Sequence, residues 1–341
     1  MNIRHAYAID IGSGAIKIYD RNKDSFLQET NMIAAKDRTT LIAVGSDAFD
    51  LFEKTPDDID VVAPMKGGRI QDVLMMEAVL HTVLNECSGY AGYRPALYFS
   101  VPLDMSELER RAYYSIAKKG RFRRARIFFV EKPFADALSV GVPVNKTEGT
   151  MIVNIGMDVT EITVIAENRI LISRQLDLGG RTISSAIISG VRHRNGLAIS
   201  QKTAEELKYT LSDLTAEKNE STKVVGIDVG TGLPRDGTVS SYTVSSSVEG
   251  VFSEIAGEIG RLLERIPPQI RTVIRKNGIC LTGGSTRIPG IDRYLRAKLD
   301  YPVKISKHFE YGTVTGMKRI MEKNELKRFA VPAAKRTSGR R

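Results

Sequence analysis

Two stretches of the chain follow one plan. Ala8-Ile9-Asp10-Ile11-Gly12-Ser13-Gly14-Ala15-Ile16-Lys17 runs from an apolar strand through a carboxylate into a turn with two glycines, then into a second apolar stretch that ends at Tyr19. Thr150-Met151-Ile152-Val153-Asn154-Ile155-Gly156-Met157-Asp158-Val159-Thr160-Glu161-Ile162-Thr163-Val164-Ile165 repeats it later in the chain: strand, glycine turn, alternating strand. A recurring unit constrains the fold more than an isolated motif does, because each copy must find its own sheet. The repeat predicts two similar α/β halves facing each other across a cleft, with phosphates between the two turns.

In the first copy, Gly12 and Gly14 are read as positions with φ > 0 that let backbone N–H groups approach an anion. Ser13 adds a hydroxyl and Lys17 a point charge for phosphate. Asp10 is placed to hold a metal-bound water, since Mg²⁺ binds through one or two carboxylates plus substrate phosphates. The same residues also make a plain β-hairpin with a Gly-Ser-Gly turn; the recurrence favours the phosphate reading for both loops. No helix opens after the glycines, which excludes a Walker loop and a dinucleotide fingerprint.

At 341 residues, two domains are expected. Cys87 and Cys280 lack ligand-like spacing, which argues against a disulfide framework or zinc site and suits a reducing cytoplasm. The opening does not read as a signal peptide, and no apolar run is long enough to span a bilayer. The net charge of +10 gathers at Lys118-Lys119-Gly120-Arg121-Phe122-Arg123-Arg124-Ala125-Arg126 and in the tail, at Lys327, Arg328, Lys335, Arg336, Arg340 and Arg341. These clusters are either solvated surface, and at the tail a disordered end, or sites for an anionic partner.

Apolar spacing predicts a helix over Asp72–Cys87, and Ser106 with Glu109 reads as a capping box for a helix to Lys119. Strands are expected at Leu41–Gly45, Pro95–Val101, Ile127–Val130 and Arg169–Asp177, and helices at Pro133–Val140, Thr182–Arg194, Thr203–Ser212 and Val251–Arg265, the last stopped by Pro267-Pro268. Residues 213–249 read as a small peripheral β region. Within it, Gly226-Ile227-Asp228-Val229-Gly230-Thr231-Gly232 resembles the opening motif, but Pro234 follows and no second apolar strand does, so it reads as an exposed turn. Gly278 to Thr286 is a strand into a di-glycine turn, with a helix from near Pro289. Such a turn either lets a base or ribose lie against the backbone or simply joins strand to helix.

Together these glycine turns, with a strand–helix crossover before the second, resemble the actin-like ATPase superfamily, and within it the MreB-like bacterial actins. Pro64-Met65-Lys66-Gly67-Gly68-Arg69-Ile70 is similar to the family's Pro-Met-Lys-Asp-Gly-x-Ile, and Val101-Pro102 with Glu109-Arg110-Arg111-Ala112 to its Val-Pro…Glu-Arg-Arg-Ala. Thr203-Ala204-Glu205-Glu206-Leu207-Lys208, Thr231-Gly232-Leu233-Pro234 and Leu281-Thr282-Gly283-Gly284 resemble three further motifs. The resemblance covers nearly the whole chain.

It implies an actin-like fold of two RNase H-like domains, each with a small subdomain, around a central nucleotide cleft. Domain I would span residues 1–144 (small subdomain near 30–64) and domain II residues 145–310 (small subdomain near 182–249), with 311–341 forming a helix that returns to domain I and a basic tail. ATP and Mg²⁺ would lie between Asp10, Gly12, Ser13, Gly14, Ala15 and Lys17 on one side and Gly156, Met157, Asp158 and Val159 on the other. Glu205, Glu206, Leu207 and Lys208 would lie near the ribose and base, opposite Gly283, Gly284, Ser285 and Thr286.

Four departures bear on catalysis. Where the family has Asp-Ile-Gly-Gly-Gly-Thr-Thr-Glu, this chain has Asn154 for the metal-side Asp, and Met157 and Asp158 for two glycines. Lys132 in Glu131-Lys132-Pro133 replaces the glutamate that orients the attacking water. A charged lysine cannot accept a proton from water, and in-line hydrolysis needs both a positioned water and a metal. Impaired hydrolysis is therefore expected; the competing reading gives the lost carboxylate role to Glu131 or Asp158.

The resemblance also implies filaments of the protein with itself, a place at the inner face of the cytoplasmic membrane, and membrane-bound wall-synthesis proteins as partners. Tyr90 and Tyr93, in the loop Ser88–Arg94, fall where the family carries an apolar membrane loop. Nucleic acid is not expected, because no base-stacking platform accompanies the basic cluster beyond Phe122. Two other functions stay open: a non-polymerising nucleotide-binding adaptor, and a small-molecule kinase of the same fold.

Overall fold

The structure, a computed structural model, describes the chain apart from residues 1–4, 38–39, 53, 57, 89–93, 216 and 334–341. It divides into two units: Met1–Gly141 with Tyr311–Arg341, and Val142–Glu310.

The first unit opens with an antiparallel meander, β1 (Ala6–Ile11), β2 (Ala15–Asp20) and β3 (Ser25–Thr30). A three-stranded sheet of β4 (Ile33–Lys36), β5 (Thr40–Val44) and β6 (Ile59–Val62) follows, with the short helix α1 (Ser46–Leu51) before β6. β7 (Met65–Lys66) and β8 (Arg69–Ile70) form a tight hairpin; its two turn residues, Gly67 and Gly68, have φ of 59° and 75°, which the turn between twisted strands requires. Then come α2 (Val73–Cys87), β9 (Ala96–Val101), α3 (Glu107–Ala117), β10 (Arg126–Glu131) and α4 (Lys132–Ser139). Asp72 caps α2 by accepting from the Met75 N–H at 2.9 Å, and Met76, Val79, Leu80, Val83 and Leu84 are buried on one face. The Ser106–Glu109 capping box forms as expected: the Glu109 N–H donates to Ser106 Oγ at 3.2 Å, and the Ser106 N–H to Glu109 Oε2 at 2.7 Å.

The second unit repeats the design. β11 (Thr150–Ile155), β12 (Thr160–Ala166) and β13 (Arg169–Leu176) are an antiparallel meander. After α5 (Gly180–Asn195), β14 (Leu197–Ala198) and α6 (Gln201–Thr210), β15 (Ser221–Asp228) and β16 (Pro234–Ser240) pair as a hairpin. α7 (Ser241–Arg265), α8 (Pro268–Asn277), β17 (Ile279–Thr282), α9 (Ile291–Leu299) and β18 (Val303–Ile305) complete the unit. The chain then returns to the first unit as α10 (Gly312–Glu322) and β19 (Ala330–Pro332), and β19 pairs with β10.

The duplication predicted from the sequence is present at the level of topology. The large sheets run β19-β10-β9-β1-β2-β3 and β18-β17-β11-β12-β13. In both, the meander's first strand lies parallel to a strand from later in the unit, and that strand lies parallel to the next. Each sheet feeds its own core, one built on residues such as Ile9, Phe99 and Leu80, the other on Val153, Ile187 and Phe252.

One expectation needs correction. The region read as β through residue 249 ends at Ser240, and α7 begins ten residues before Val251. Burial of Val244, Val248, Val251, Phe252 and Ile255 on one face outweighs the low helix propensity of the Ser/Thr/Val run. The strand that begins at Pro234, β16, is largely polar, so no second apolar strand follows the Asp228–Leu233 turn, as expected. Pro267-Pro268 ends α7 and also starts α8, because proline suits the first helical turn, where no N–H partner is required.

Candidate functional site

In the first unit, β1 and β2 are joined by a turn closed by the Gly12 N–H donating to Ala15 O at 3.0 Å, with Asp10 directly across from Lys17. Gly12 does not adopt positive φ. It is needed for another reason: a Cβ there would lie 3.0 Å from Ala15 O and 3.5 Å from Lys17 Nζ. The missing side chain therefore lets the Gly12 N–H close the turn on Ala15 O, with the Lys17 ammonium beside it. Asp10 is buried and accepts a hydrogen bond from Ser100 Oγ on β9. Ser13 Oγ accepts from the Gly68 N–H of the β7–β8 turn at 3.2 Å. Asn31 donates through Nδ2 to Gly12 O at 2.9 Å and through its backbone N–H to Gly14 O at 3.1 Å, which fixes the turn from below.

In the second unit the Gly156 N–H donates to Val159 O at 2.9 Å, closing the same four-residue turn, and Asn154 pairs with Glu161 where Asp10 pairs with Lys17. Gly156 also has ordinary φ, and a Cβ there would meet Val159 O at 3.1 Å. The start of α5 grips this loop: Gly180 N–H donates to Gly156 O at 2.9 Å and Arg181 N–H to Met157 O at 2.7 Å. Arg181 also forms an ion pair with Asp158, Nε to Oδ1 at 2.9 Å. Asp158 is thus already neutralised by a neighbour, which weighs against its acting as a base.

The two glycines of the di-glycine turn are used differently. Gly283 has φ of 96°, and a Cβ on it would lie 2.4 Å from Ile155 O, so its missing side chain makes room for β11, not for a base or ribose. At Gly284 a Cβ would meet only Glu310 Cβ, at 3.8 Å, so that glycine keeps an open face. Ser285 and Thr286 are buried; Ser285 Oγ donates to Gly156 O at 3.1 Å and Thr286 Oγ1 to Gly283 O at 2.6 Å.

α6 divides the residues expected near the ribose and base. Leu207 belongs to the hydrophobic core and Lys208 is fully enclosed, so both support the site from behind. Lys208 Nζ donates to Glu205 Oε2 at 2.6 Å, Ser184 Oγ at 3.2 Å and Gly180 O at 3.3 Å. Burial holds the Lys208 ammonium below the usual lysine range, with the Glu205 charge opposing. Glu206 is exposed, and Glu205 is half-buried. Tyr209 lies under two cations, Lys208 Nζ 4.9 Å and Arg287 Cζ 5.3 Å from its ring centre.

Glu131 ends β10 and Lys132 begins α4. Glu131 reaches solvent, yet partial desolvation raises its carboxyl above the usual range. Tyr90 and Tyr93 lie outside the described residues, as do Lys335, Arg336, Arg340 and Arg341 of the tail. Among the described residues there is no cluster of three or more His, Cys, Asp or Glu side chains for a metal ion, and no helix long and apolar enough to cross a membrane. A lone buried carboxylate such as Asp10 fits Mg²⁺ held mainly by water and phosphates.

Sequence reading missed Asn31, Ser100, Gly68 and Arg181 as parts of these loops. The Gly67-Gly68 pair was a usable turn signal; the other three reach the loops only through tertiary packing.

Residues 4–328 match the family described as MreB/Mbl protein. The cell shape-determining protein MreB of Escherichia coli (strain K12) is 30% identical over 307 residues, 88% of each chain. The cell shape-determining protein Mbl of Bacillus subtilis (strain 168) is 27% identical over 303 residues, 88% of this chain and 90% of that one. Among solved structures, MreB5 of Spiroplasma citri bound to AMPPNP aligns with a TM-score of 0.88 at 27% identity, covering 94% of this chain and 97% of that one. The chain of the MamK double helical filament, at 18% identity, shares the fold with a TM-score of 0.77 over 94% of this chain and 99% of that one. With the family match spanning almost the whole sequence and one sheet order in both units, this chain belongs to the MreB/Mbl family and has the actin-like fold.

Proposed function

We propose that this protein is an ATP-binding, filament-forming bacterial actin homologue that helps determine cell shape, scaffolding wall synthesis at the inner face of the cytoplasmic membrane and hydrolysing ATP slowly or not at all. The observation that carries the nucleotide part is the β1–β2 turn, where Gly12 lets the loop close tightly and Asp10, Ser13 and Lys17 bring a carboxylate, a hydroxyl and an ammonium to one turn. The relative MreB5 of Spiroplasma citri has been crystallised with AMPPNP and with ADP, which supports the same ligand class here. In this proposal the Asp10–Lys17 loop and the Gly156–Val159 loop each take phosphate oxygens, and Asp10 holds Mg²⁺ through water. Glu205, Glu206, Gly284 and Tyr209 serve the ribose and base. When bound, the metal supplies charge neutralisation at the phosphates.

Weak hydrolysis follows from the residues present. Asn154 cannot ionise, Lys132 stands where a water-orienting carboxylate is needed, and Asp158 is tied to Arg181. The deciding experiment measures ATP affinity, phosphate release and filament formation by electron microscopy, with and without anionic vesicles. Tight ATP binding, slow release and membrane-attached filaments are expected. Persistent ATP-bound monomers would replace this reading with a non-polymerising adaptor, and phosphoryl transfer to a panel of sugars would make the protein a small-molecule kinase.

A further inference from the structure

The first unit carries a second concave site away from the β1–β2 turn. A groove of about 740 Å³ is lined by five cations, Arg94, Lys118, Arg123, Arg124 and Arg126, and among the described residues no carboxylate lines it. Its volume falls within the range of small-ligand pockets, roughly 300–1,000 Å³.

Two of the cations are set by secondary structure, and Arg94, Arg123 and Arg124 come from the adjoining turns. Arg126 and Phe128 alternate along β10 and so share one face of the sheet. Phe128 is held there by stacking on Tyr98, its partner on β9, with ring centres 4.8 Å apart and planes 14° from parallel. Across the groove, Lys118 at the end of α3 donates to Tyr114 OH at 3.0 Å and lies 4.9 Å from the centre of that ring, which fixes its ammonium. Pro332 of β19, the cross-strand partner of Phe128, adds an apolar edge.

Arg94, Lys118, Arg123 and Arg126 around one cavity repel one another, and a polyanion offsets that repulsion. Guanidinium groups suit phosphate in particular, because they donate in pairs. We propose that this groove binds a ligand carrying at least two phosphate groups, whether a soluble phosphate ester or the headgroups of an anionic bilayer. The cations set the affinity, and the aromatic side chains Tyr114 and Phe128 take the non-ionic part of the ligand. The site is independent of the proposed nucleotide loops.

The test uses the full-length protein and the double variant Arg123→Glu/Arg126→Glu. A charge-matched control, Lys276→Glu/Lys298→Glu, lies on exposed positions of the second unit. Titration with inorganic triphosphate forms the soluble arm. Co-sedimentation with phosphatidylglycerol–phosphatidylcholine vesicles, against phosphatidylcholine alone, forms the bilayer arm. Lys17→Ala is run beside them, so that anion binding at the nucleotide loop is recognised by its own loss. In at least one arm the groove variant is expected to bind at least tenfold more weakly while the control matches the wild type, and the difference should shrink as salt is raised. The affected arm identifies the source of the phosphate. Should the double reversal fail to fold, Arg123→Gln/Arg126→Gln is expected to show the same direction. Wild-type binding by the groove variant in both arms would overturn the proposal, as would a loss confined to a single-stranded oligonucleotide probe.

Discussion

Arg181 at the start of α5 and Asp158 in the second glycine turn form an ion pair, with Nε 2.9 Å from Oδ1. The turn that lost two family glycines thus gained a carboxylate and, from α5, its counter-charge. Removing either partner leaves the other charge alone beside the proposed phosphates, so the two substitutions should act in opposite directions. Arg181→Ala is expected to weaken ATP binding by about tenfold, roughly 1.4 kcal/mol, while Asp158→Ala should leave it equal or stronger. Isothermal titration of both variants decides this. Brisk phosphate release by the wild type that vanishes in Asp158→Ala would show that Asp158 is catalytic and that hydrolysis is intact.

Lys132 is the second catalytic departure. Lys132→Glu restores a carboxylate where the attacking water must be oriented, and is expected to raise phosphate release by about tenfold or more, a modest part of the usual general-base contribution. A single-turnover phosphate assay at matched ATP occupancy is the measurement. No rise would mean that Asn154, on the metal side, limits the reaction instead.

Gly316 of α10 faces the backbone of α4 so closely that a Cβ would lie 1.7 Å from Ala135 O. Nothing flexible can yield there, so Gly316→Ala is expected to cost about 3 kcal/mol, the upper end for overpacking. Gly257, in the middle of α7, has nothing within 4 Å of its Cβ position. Gly257→Ala should instead stabilise the protein by up to about 1 kcal/mol through helix propensity. Thermal or urea denaturation of the two variants tests the contrast.

Tyr7 on β1 is buried, and burial, helped by the Asp20 charge, pushes its hydroxyl up to about 12. Its ordinary value is 10.0, so between these limits the unfolded chain loses the proton first and the native state retains it. The stability linked to Tyr7 is therefore complete below pH 10 and falls as pH rises toward 12. The loss is about 1.4 kcal/mol per pH unit within that window. Phenylalanine cannot ionise, so Tyr7→Phe should flatten the decline in stability measured by urea titrations at pH 9, 10 and 11.

The local chemistry of the sequence was enough to fix several elements. The Ser106–Glu109 box and the duplicated strand–turn–strand unit depend on residues a few positions apart, and each forms where the sequence places it. The sequence also supplied the residue changes that bear on hydrolysis, because Asn154, Asp158 and Lys132 are visible as substitutions in family motifs. Tertiary structure decided how those residues are used. Gly283 is glycine because Ile155 O occupies the space beside it; Lys208 is sealed behind the site; Asp158 meets Arg181 only because α5 folds back onto the turn; and α7 starts early because its Ser/Thr-rich end finds a core to cover. Spacing encodes contacts within a turn or a helix. Contacts between distant segments depend on which surfaces the sheets bring together, and the fold settles that as a whole.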